Sequence, residues 1–226
     1  MKDLKNIRMI CCDVDGTLLN TERIYVEAWK RAGREQGFEI PEEALRRTRA
    51  IDAKLAEQIL KSYVGEQLDY RETWRRRVRI AEEIIASGTV ELLMPGAAEL
   101  LDWLDENGFQ KAFATMTNRE HTNTHMKKAG ILDRFSVCVT GEEVENGKPA
   151  PDMFLLAAER LGVLPEECIV CEDSYAGLQA ARNAGMLPVM IPDYTPARSE
   201  ERSYAVILES LFDVPALIES QNGAKA

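Results

Sequence analysis

Four short stretches of the sequence concentrate carboxylates, hydroxyls and one constrained lysine, each beyond the end of an apolar run. The first is Cys12-Asp13-Val14-Asp15-Gly16-Thr17-Leu18. Acids spaced i, i+2 point the same way while the chain stays extended. Two carboxylates held together in this way repel one another unless a cation joins them. Taken alone, the stretch also reads as a polar exit from strand to loop. The second is Ala114-Thr115-Met116-Thr117-Asn118, where hydroxyls and unpaired N–H groups at a helix start make an anion site. An ordinary helix cap by Thr117 or Asn118 competes with that reading. The third, Asn146-Gly147-Lys148-Pro149-Ala150-Pro151-Asp152, sets a lone lysine beside two prolines that fix the backbone and so hold one cation in place. Pro151 also reads as a simple helix start. The fourth, Glu172-Asp173-Ser174, either caps the following helix or supplies a second pair of carboxylates to match the first.

The elements that must position these residues follow from hydrophobic pattern. Apolar runs at Ile7–Cys12, Lys111–Thr115, Ser136–Thr140, Cys168–Cys171 and Leu187–Ile191 predict buried strands. Helical pattern covers Gly96–Asn107, Arg119–Ala129, Asp152–Leu161 and Tyr175–Ala184. Such alternation predicts a parallel sheet covered on both faces. Glycines 108, 130, 162 and 185 follow helices, where positive φ costs glycine least. Ligands of such sheets bind beyond the carboxyl ends of the strands, where all four stretches fall. Together they supply a carboxylate nest for a hard cation, an anion-binding hydroxyl and a fixed positive charge, which is equipment for phosphoryl transfer. Residues 20–94 break the alternation with helical pattern alone, at Glu22–Glu35, Glu42–Arg49, Ala53–Val64 and Tyr70–Ser87. The expected fold class is therefore α/β: a Rossmann-like parallel-sheet core of residues 1–19 and 95–226 with an inserted all-helical domain at 20–94.

Composition agrees with a folded globular chain: 226 residues, 45% hydrophobic and 29% charged. With 28 Lys/Arg against 38 Asp/Glu, the net charge of −10 disfavours nucleic acid and anionic membrane as partners. No stretch approaches a membrane span or a signal peptide, and five cysteines are an odd count without secreted-scaffold density, so a cytoplasmic location is expected. Residues 20–94 hold 14 of the bases and 14 of the acids, which places the whole excess of acid in the core. A divalent cation at the acidic cluster would let this acidic core accept an anion, so anion binding is expected to depend on metal.

The order Asp13-x-Asp15-Gly16-Thr17, then Thr115, then Lys148, then Glu172-Asp173 resembles the haloacid dehalogenase superfamily of phosphotransferases. The helical insertion is similar to that family's helical cap. Gly147-Lys148-Pro149-x-Pro151-Asp152 and Glu172-Asp173-Ser174-x-Ala176-Gly177 resemble the subgroup of β-phosphoglucomutase and sugar-phosphate phosphatases, and the likeness runs from about Ile7 to Pro192. It implies that Asp13 attacks phosphorus and becomes an aspartyl phosphate, and that Asp15 protonates the leaving oxygen, then deprotonates water. It implies Mg²⁺ held by Asp13, the Asp15 main-chain carbonyl and Asp173, with Glu172 a further ligand. Thr115 and the Met116 N–H would hold phosphoryl oxygens, and Lys148 would offset charge as two anions approach. Thr21 matches a family position that hydrogen-bonds the acid/base aspartate, and otherwise reads as a helix cap. Asp15 argues against dehalogenation, because a carbon–halogen bond needs no general acid at its leaving group.

Mutases of the subgroup carry a Gly-rich cap loop with an arginine for a second phosphate. The corresponding Thr48-Arg49-Ala50-Ile51-Asp52 lacks the glycine, and Tyr25 stands where the mutases carry a histidine. Both departures favour hydrolysis of a small phosphorylated metabolite such as a sugar phosphate, with a hexose-phosphate mutase as the alternative. Among the arginines of Trp74-Arg75-Arg76-Arg77-Val78-Arg79, most should be solvated or paired with glutamates, and Arg76 and Arg77 are singled out to face the substrate's distal group. Cys168 and Cys171 lie i, i+3 on a strand and face apart, as do Cys11 and Cys12, so all four read as small buried residues. His121 and His125, i, i+4 on a helix without an evident third ligand, read as surface histidines. Oligomeric state leaves no trace in the sequence.

Overall fold

The computed structural model describes residues 6–49 and 53–223. Strand β1 (Met9–Cys12) precedes four helices, α1 (Thr21–Arg34), α2 (Glu42–Arg47), α3 (Ala53–Val64) and α4 (Tyr70–Ser87). Then follow α5 (Ala97–Glu106), β2 (Gln110–Thr115), α6 (Arg119–Lys128), β3 (Val137–Thr140), α7 (Asp152–Leu161) and β4 (Cys168–Glu172). The chain ends through α8 (Tyr175–Asn183), β5 (Leu187–Met190), α9 (Ser199–Arg202), β6 (Val206–Ile207) and α10 (Val214–Gly223). It divides into two compact units, Met1–Leu19 with Leu93–Ala226, and Asn20–Leu92. Among the described residues, no helix is long and apolar enough to cross a membrane.

The first unit carries a six-stranded sheet in the order β3-β2-β1-β4-β5-β6, parallel throughout. This is the Rossmann-like α/β arrangement expected. Cores of this kind read as continuous apolar runs because helices cover both faces of every central strand. Met9 and Cys11 of β1, Ala112 and Ala114 of β2, and Cys168 and Val170 of β4 share a buried cluster with Met153, Phe154 and Ala157 of α7 and Ala180 and Ala181 of α8. Leu100, Leu101 and Leu104 of α5 are also buried, and Phe113 meets Phe135 edge to face at 5.3 Å. Leu93 bridges to Leu19, and the Met94 N–H donates to Leu18 O at 2.9 Å, so both residues group with the sheet rather than with the helices. The sixth strand, α9 and α10 lie beyond the last run that the sequence pattern resolved.

In the second unit, α1 and α4 bury Ile24, Ala28 and Ala32 against Ile80, Ala81 and Ile85. These residues recur at i, i+4, i+8 and at i, i+1, i+5, which gives each helix an apolar stripe. Asp69 caps α4 by accepting from the Glu72 N–H at 3.0 Å, and Gly88, at φ 65°, ends it. A second cluster of Ile40, Ala44, Leu45, Leu60 and Leu68 joins α2 to α3.

Two expectations need correction. His125 is buried at 3% exposure rather than lying on the surface, because α6 turns Thr122, His125 and Met126 inward on one stripe. Thr21 is not the cap of α1. It is the first helical residue and is wholly buried, and Asn20 occupies the cap position without a side-chain cap bond.

Candidate active site

Residue parity sets the centre of the site. Met9 and Cys11 face α7 and α8, and Asp13 continues that side of β1; on β4, Cys168 and Val170 lead in the same way to Glu172. The Asp13 N–H still pairs with the Cys171 carbonyl at 2.9 Å. Extension then stops. The N–H groups of Leu18 and Leu19 donate to Val14 O at 3.1 and 2.8 Å, and the Gly16 N–H donates to Leu19 O at 2.8 Å. Gly16 has φ 86°, a left-handed conformation that disfavours any side chain. Asp15 is therefore carried to different partners from those of Asp13.

Lys148 reaches Asp13 and Glu172 from the loop before α7. That loop is tied at three points: Asn146 Nδ2 donates to Asp152 Oδ2 at 3.1 Å, the Ala150 N–H to Gly147 O at 3.0 Å, and Asn183 Nδ2 to Pro149 O at 3.0 Å. The Lys148 ammonium donates to Asp13 Oδ1, to Glu172 Oε1 at 2.6 Å and to the Ala114 carbonyl at 3.2 Å. Its three N–H donors are thereby matched by three acceptors, and the Phe154 ring lies 5.2 Å away. Burial alone would lower the lysine's pKa, but Asp13 and Glu172 outweigh it and hold the ammonium above its ordinary range. Burial raises the Asp13 carboxyl well above the carboxylate range; Lys148 opposes the rise, while Glu172 and Asp15 add to it. One cation is thus outnumbered by buried acids.

Asp13, Glu172 and Asp173 are all buried, and each offers an oxygen within 4.8 Å of the others'. Hard oxygen donors in excess of local positive charge suit a divalent cation such as Mg²⁺. Glu172 is fixed from β4 and from the start of α8: Oε2 accepts from the Ser174 N–H at 2.8 Å and from Ser174 Oγ at 2.9 Å. Ser174 Oγ accepts in turn from the Gly177 N–H at 3.1 Å and so caps α8. Gly177 permits this closeness, since a Cβ there would lie 1.7 Å from Glu172 Oε1.

On the other side of β1, Thr115 ends β2 and donates to Asp15 Oδ2 at 3.2 Å. Thr117 donates to the same oxygen at 2.7 Å. Asn118 is the cap of α6, accepting from the His121 N–H at 2.9 Å, so the cap reading holds for Asn118 while the Thr117 hydroxyl is turned to Asp15. Met116, 46% exposed, lies in the turn between them, with its thioether against Gly147.

The structure therefore brings together Asp13, Asp15, Thr115, Lys148, Glu172 and Asp173, with Met116 in the adjoining turn. Arg76 and Arg77 belong to the helical unit and have partners there. Arg76 Nε meets Glu72 at 2.9 Å and its Nη1 meets Glu35 at 3.3 Å. The Arg77 guanidinium lies 3.6 Å from the centroid of the Tyr25 ring. Arg49 pairs with Glu22 at 3.0 Å, whereas Ala50, Ile51 and Asp52 of the expected cap loop lie outside the described residues. Sequence reasoning passed over Thr117 as a partner of Asp15, the Ala114 carbonyl, and the dependence of Glu172 on Ser174 and Gly177. The quoted run Glu172-Asp173-Ser174-x-Ala176-Gly177 carried the last signal without its meaning. The four buried cysteines are free thiols, and Cys12 and Cys171 are register partners on neighbouring strands.

Comparison with known proteins identifies the family. A family model described as haloacid dehalogenase-like hydrolase matches residues 7–185. The phosphorylated carbohydrates phosphatase of Thermotoga maritima is 33% identical over 210 residues, spanning 92% of this chain and 88% of that protein. The β-phosphoglucomutase of Bacillus subtilis is 26% identical over 195 residues, spanning 84% and 85%. The crystal structure of CbbY from Rhodobacter sphaeroides in complex with phosphate, 28% identical, superposes with a TM-score of 0.75 over 92% of this chain and 96% of that one. The chain belongs to the haloacid dehalogenase-like hydrolases.

Proposed function

We propose that this chain is a Mg²⁺-dependent phosphatase that hydrolyses a small phosphorylated carbohydrate through an aspartyl phosphate on Asp13. The observation that carries the proposal is the buried Asp13–Lys148–Glu172 bridge within an acidic cluster, with Asp15 held beside it by two hydroxyls. The relative from Thermotoga maritima named for phosphorylated carbohydrates supports the substrate class.

An Asp13 oxygen attacks phosphorus and forms a new P–O bond as the bond to the leaving oxygen breaks. Protonated Asp15 gives its proton to that oxygen, so a sugar hydroxyl departs rather than an alkoxide. The same carboxylate then takes a proton from water as water attacks phosphorus. The P–O bond to Asp13 breaks, and phosphate leaves with Asp13 restored. Lys148 holds Asp13 in place and tempers the repulsion between its carboxylate and the incoming phosphoryl group. Thr115 and the Met116 N–H lie at the end of β2, where they would receive phosphoryl oxygens. Asp13, Glu172 and Asp173, with the Asp15 carbonyl, would hold Mg²⁺, whose charge counters that of the phosphoryl group. Tyr25 stands where the mutases of the subgroup carry a histidine, which favours hydrolysis over a mutase.

The test is a screen of phosphorylated carbohydrates with the purified chain, with release of inorganic phosphate as readout and Asp13→Asn as blank. At least one substrate should release phosphate; a chelator should take that release to the blank, and added Mg²⁺ should restore it. Interconversion of sugar phosphates without phosphate release would instead establish a mutase.

A further inference from the structure

We propose that Thr117 is a positioning residue for the acid/base carboxylate: its hydroxyl keeps hold of Asp15 Oδ2 while Thr115 turns from Asp15 to a phosphoryl oxygen of the substrate. This inference rests on the acid/base role given to Asp15 above. It starts from a conflict in hydrogen bonding. A threonine hydroxyl has one proton to donate, and in this structure the Thr115 proton goes to Asp15. Thr115 cannot also donate it to a phosphoryl oxygen, so substrate binding costs Asp15 a hydroxyl donor. Thr117 still donates to the same oxygen, and it is the closer of the pair, at 2.7 Å against 3.2 Å.

Thr117 is itself held in place. Its N–H donates to Thr115 Oγ1 at 3.1 Å, and its carbonyl accepts from the buried Thr122 hydroxyl at 3.4 Å. The N–H of Thr122 donates to Asn118 O at 3.0 Å, fixing the first turn of α6 directly behind Thr117. The backbone bond to Thr115 Oγ1 uses a lone pair, not the proton, so it survives when Thr115 turns to the substrate. Anchoring one oxygen fixes the plane of the Asp15 carboxyl and hence the direction in which its other oxygen delivers a proton. Proton transfer is sensitive to such placement at the scale of an ångström.

Leaving-group dependence separates this role from a structural one. The value of kcat/KM covers every step through formation of phospho-Asp13, which is where the leaving group departs. 4-Nitrophenolate leaves without needing a proton, whereas the primary alkoxide of glucose 6-phosphate needs one. In Thr117→Val, kcat/KM for glucose 6-phosphate should fall by roughly 10–100-fold, a part of what general acid catalysis contributes. With 4-nitrophenyl phosphate the fall should stay within about 3-fold, because most of that contribution is not called on there. Thr117→Ser, which keeps the hydroxyl, should retain activity on both. Asp15→Asn should show the same selectivity with a larger loss. Equal losses on both probes in Thr117→Val, or no recovery with Ser, would overturn the positioning role and mark Thr117 as a phosphate contact or a packing residue. If Asp15→Asn itself shows no leaving-group selectivity, the reading of Asp15 fails and the role of Thr117 falls with it.

Discussion

Asp13→Asn should lower phosphate release by about 10⁴-fold or more, the scale of loss when a covalent nucleophile is removed. The amide keeps the shape of the carboxylate but has no anionic oxygen with which to bond phosphorus. The fold should survive. Asp13 sits among Glu172, Asp15 and Lys148, and burial together with its acidic neighbours already works against its charge. Neutralising it costs one ion pair and relieves repulsion from two carboxylates, so these effects largely offset each other. Lys148 keeps Glu172 and the Ala114 carbonyl as acceptors. The thermal midpoint should therefore stay within roughly 5 °C of the wild type, about what 1–2 kcal/mol produces in a chain of this size. Hydrolysis assays and melting curves on the same preparation check both halves. Substantial turnover by a folded Asp13→Asn variant would remove the aspartyl phosphate from the mechanism.

The second large effect is expected at a residue with no functional group. Gly177→Ala would place a methyl 1.7 Å from Glu172 Oε1 and 2.0 Å from its Cδ, far closer than van der Waals contact allows. The obstacle is no flexible surface side chain. Glu172 is wholly buried, and its oxygens are taken by Lys148, the Ser174 N–H and the Ser174 hydroxyl. The carboxylate has to move, and it gives up charge-assisted bonds in doing so. Overpacking and a disturbed buried ion pair together should cost about 2–4 kcal/mol, which lowers the midpoint by roughly 5–15 °C. Moving a carboxylate of the acidic cluster by about 1 Å should cut kcat by about 100-fold or more. Glu172→Asp in the same chain shortens the side chain by one methylene and makes room for the methyl. The double variant should be more stable than the sum of the single losses, a coupling that a melting cycle measures. A Gly177→Ala chain with wild-type midpoint and activity would show that Glu172 has room elsewhere.

The sheet was legible because its central strands are buried on both faces, which leaves runs such as Cys168-Ile169-Val170-Cys171 unbroken by polar residues. Strand β6, two half-buried residues long, has no such run. The acids, Thr115 and Lys148 were legible because their types and their places after strands restrict what they can do. What each side chain touches was not. Thr117 and Asp15 lie 102 positions apart, and nothing local separates a hydroxyl that caps α6 from one that reaches across to the loop after β1. The pairing of Arg76 with Glu72 follows from i, i+4 spacing, whereas its contact with Glu35 depends on how α1 packs on α4. His125 reads as polar and exposed until the direction of α6 is known, since the helix has few apolar residues to mark its inner stripe.

The distances in sequence between the groups of the site carry a thermodynamic consequence. Asp13 meets Lys148 across 135 positions and Asp15 meets Thr115 across 100, so an unfolded chain contains no version of this cluster. Whatever occupies the cluster, ion or phosphorylated compound, binds the native state alone and adds RT ln(1 + [L]/Kd) to its stability, about 2.7 kcal/mol at a hundredfold excess over Kd. Heat resistance and occupancy of the site thus become one measurable quantity. A chain starved of its ligands should open and be cut by proteases more readily than one in their presence, and turnover of the protein becomes coupled to supply of its substrate.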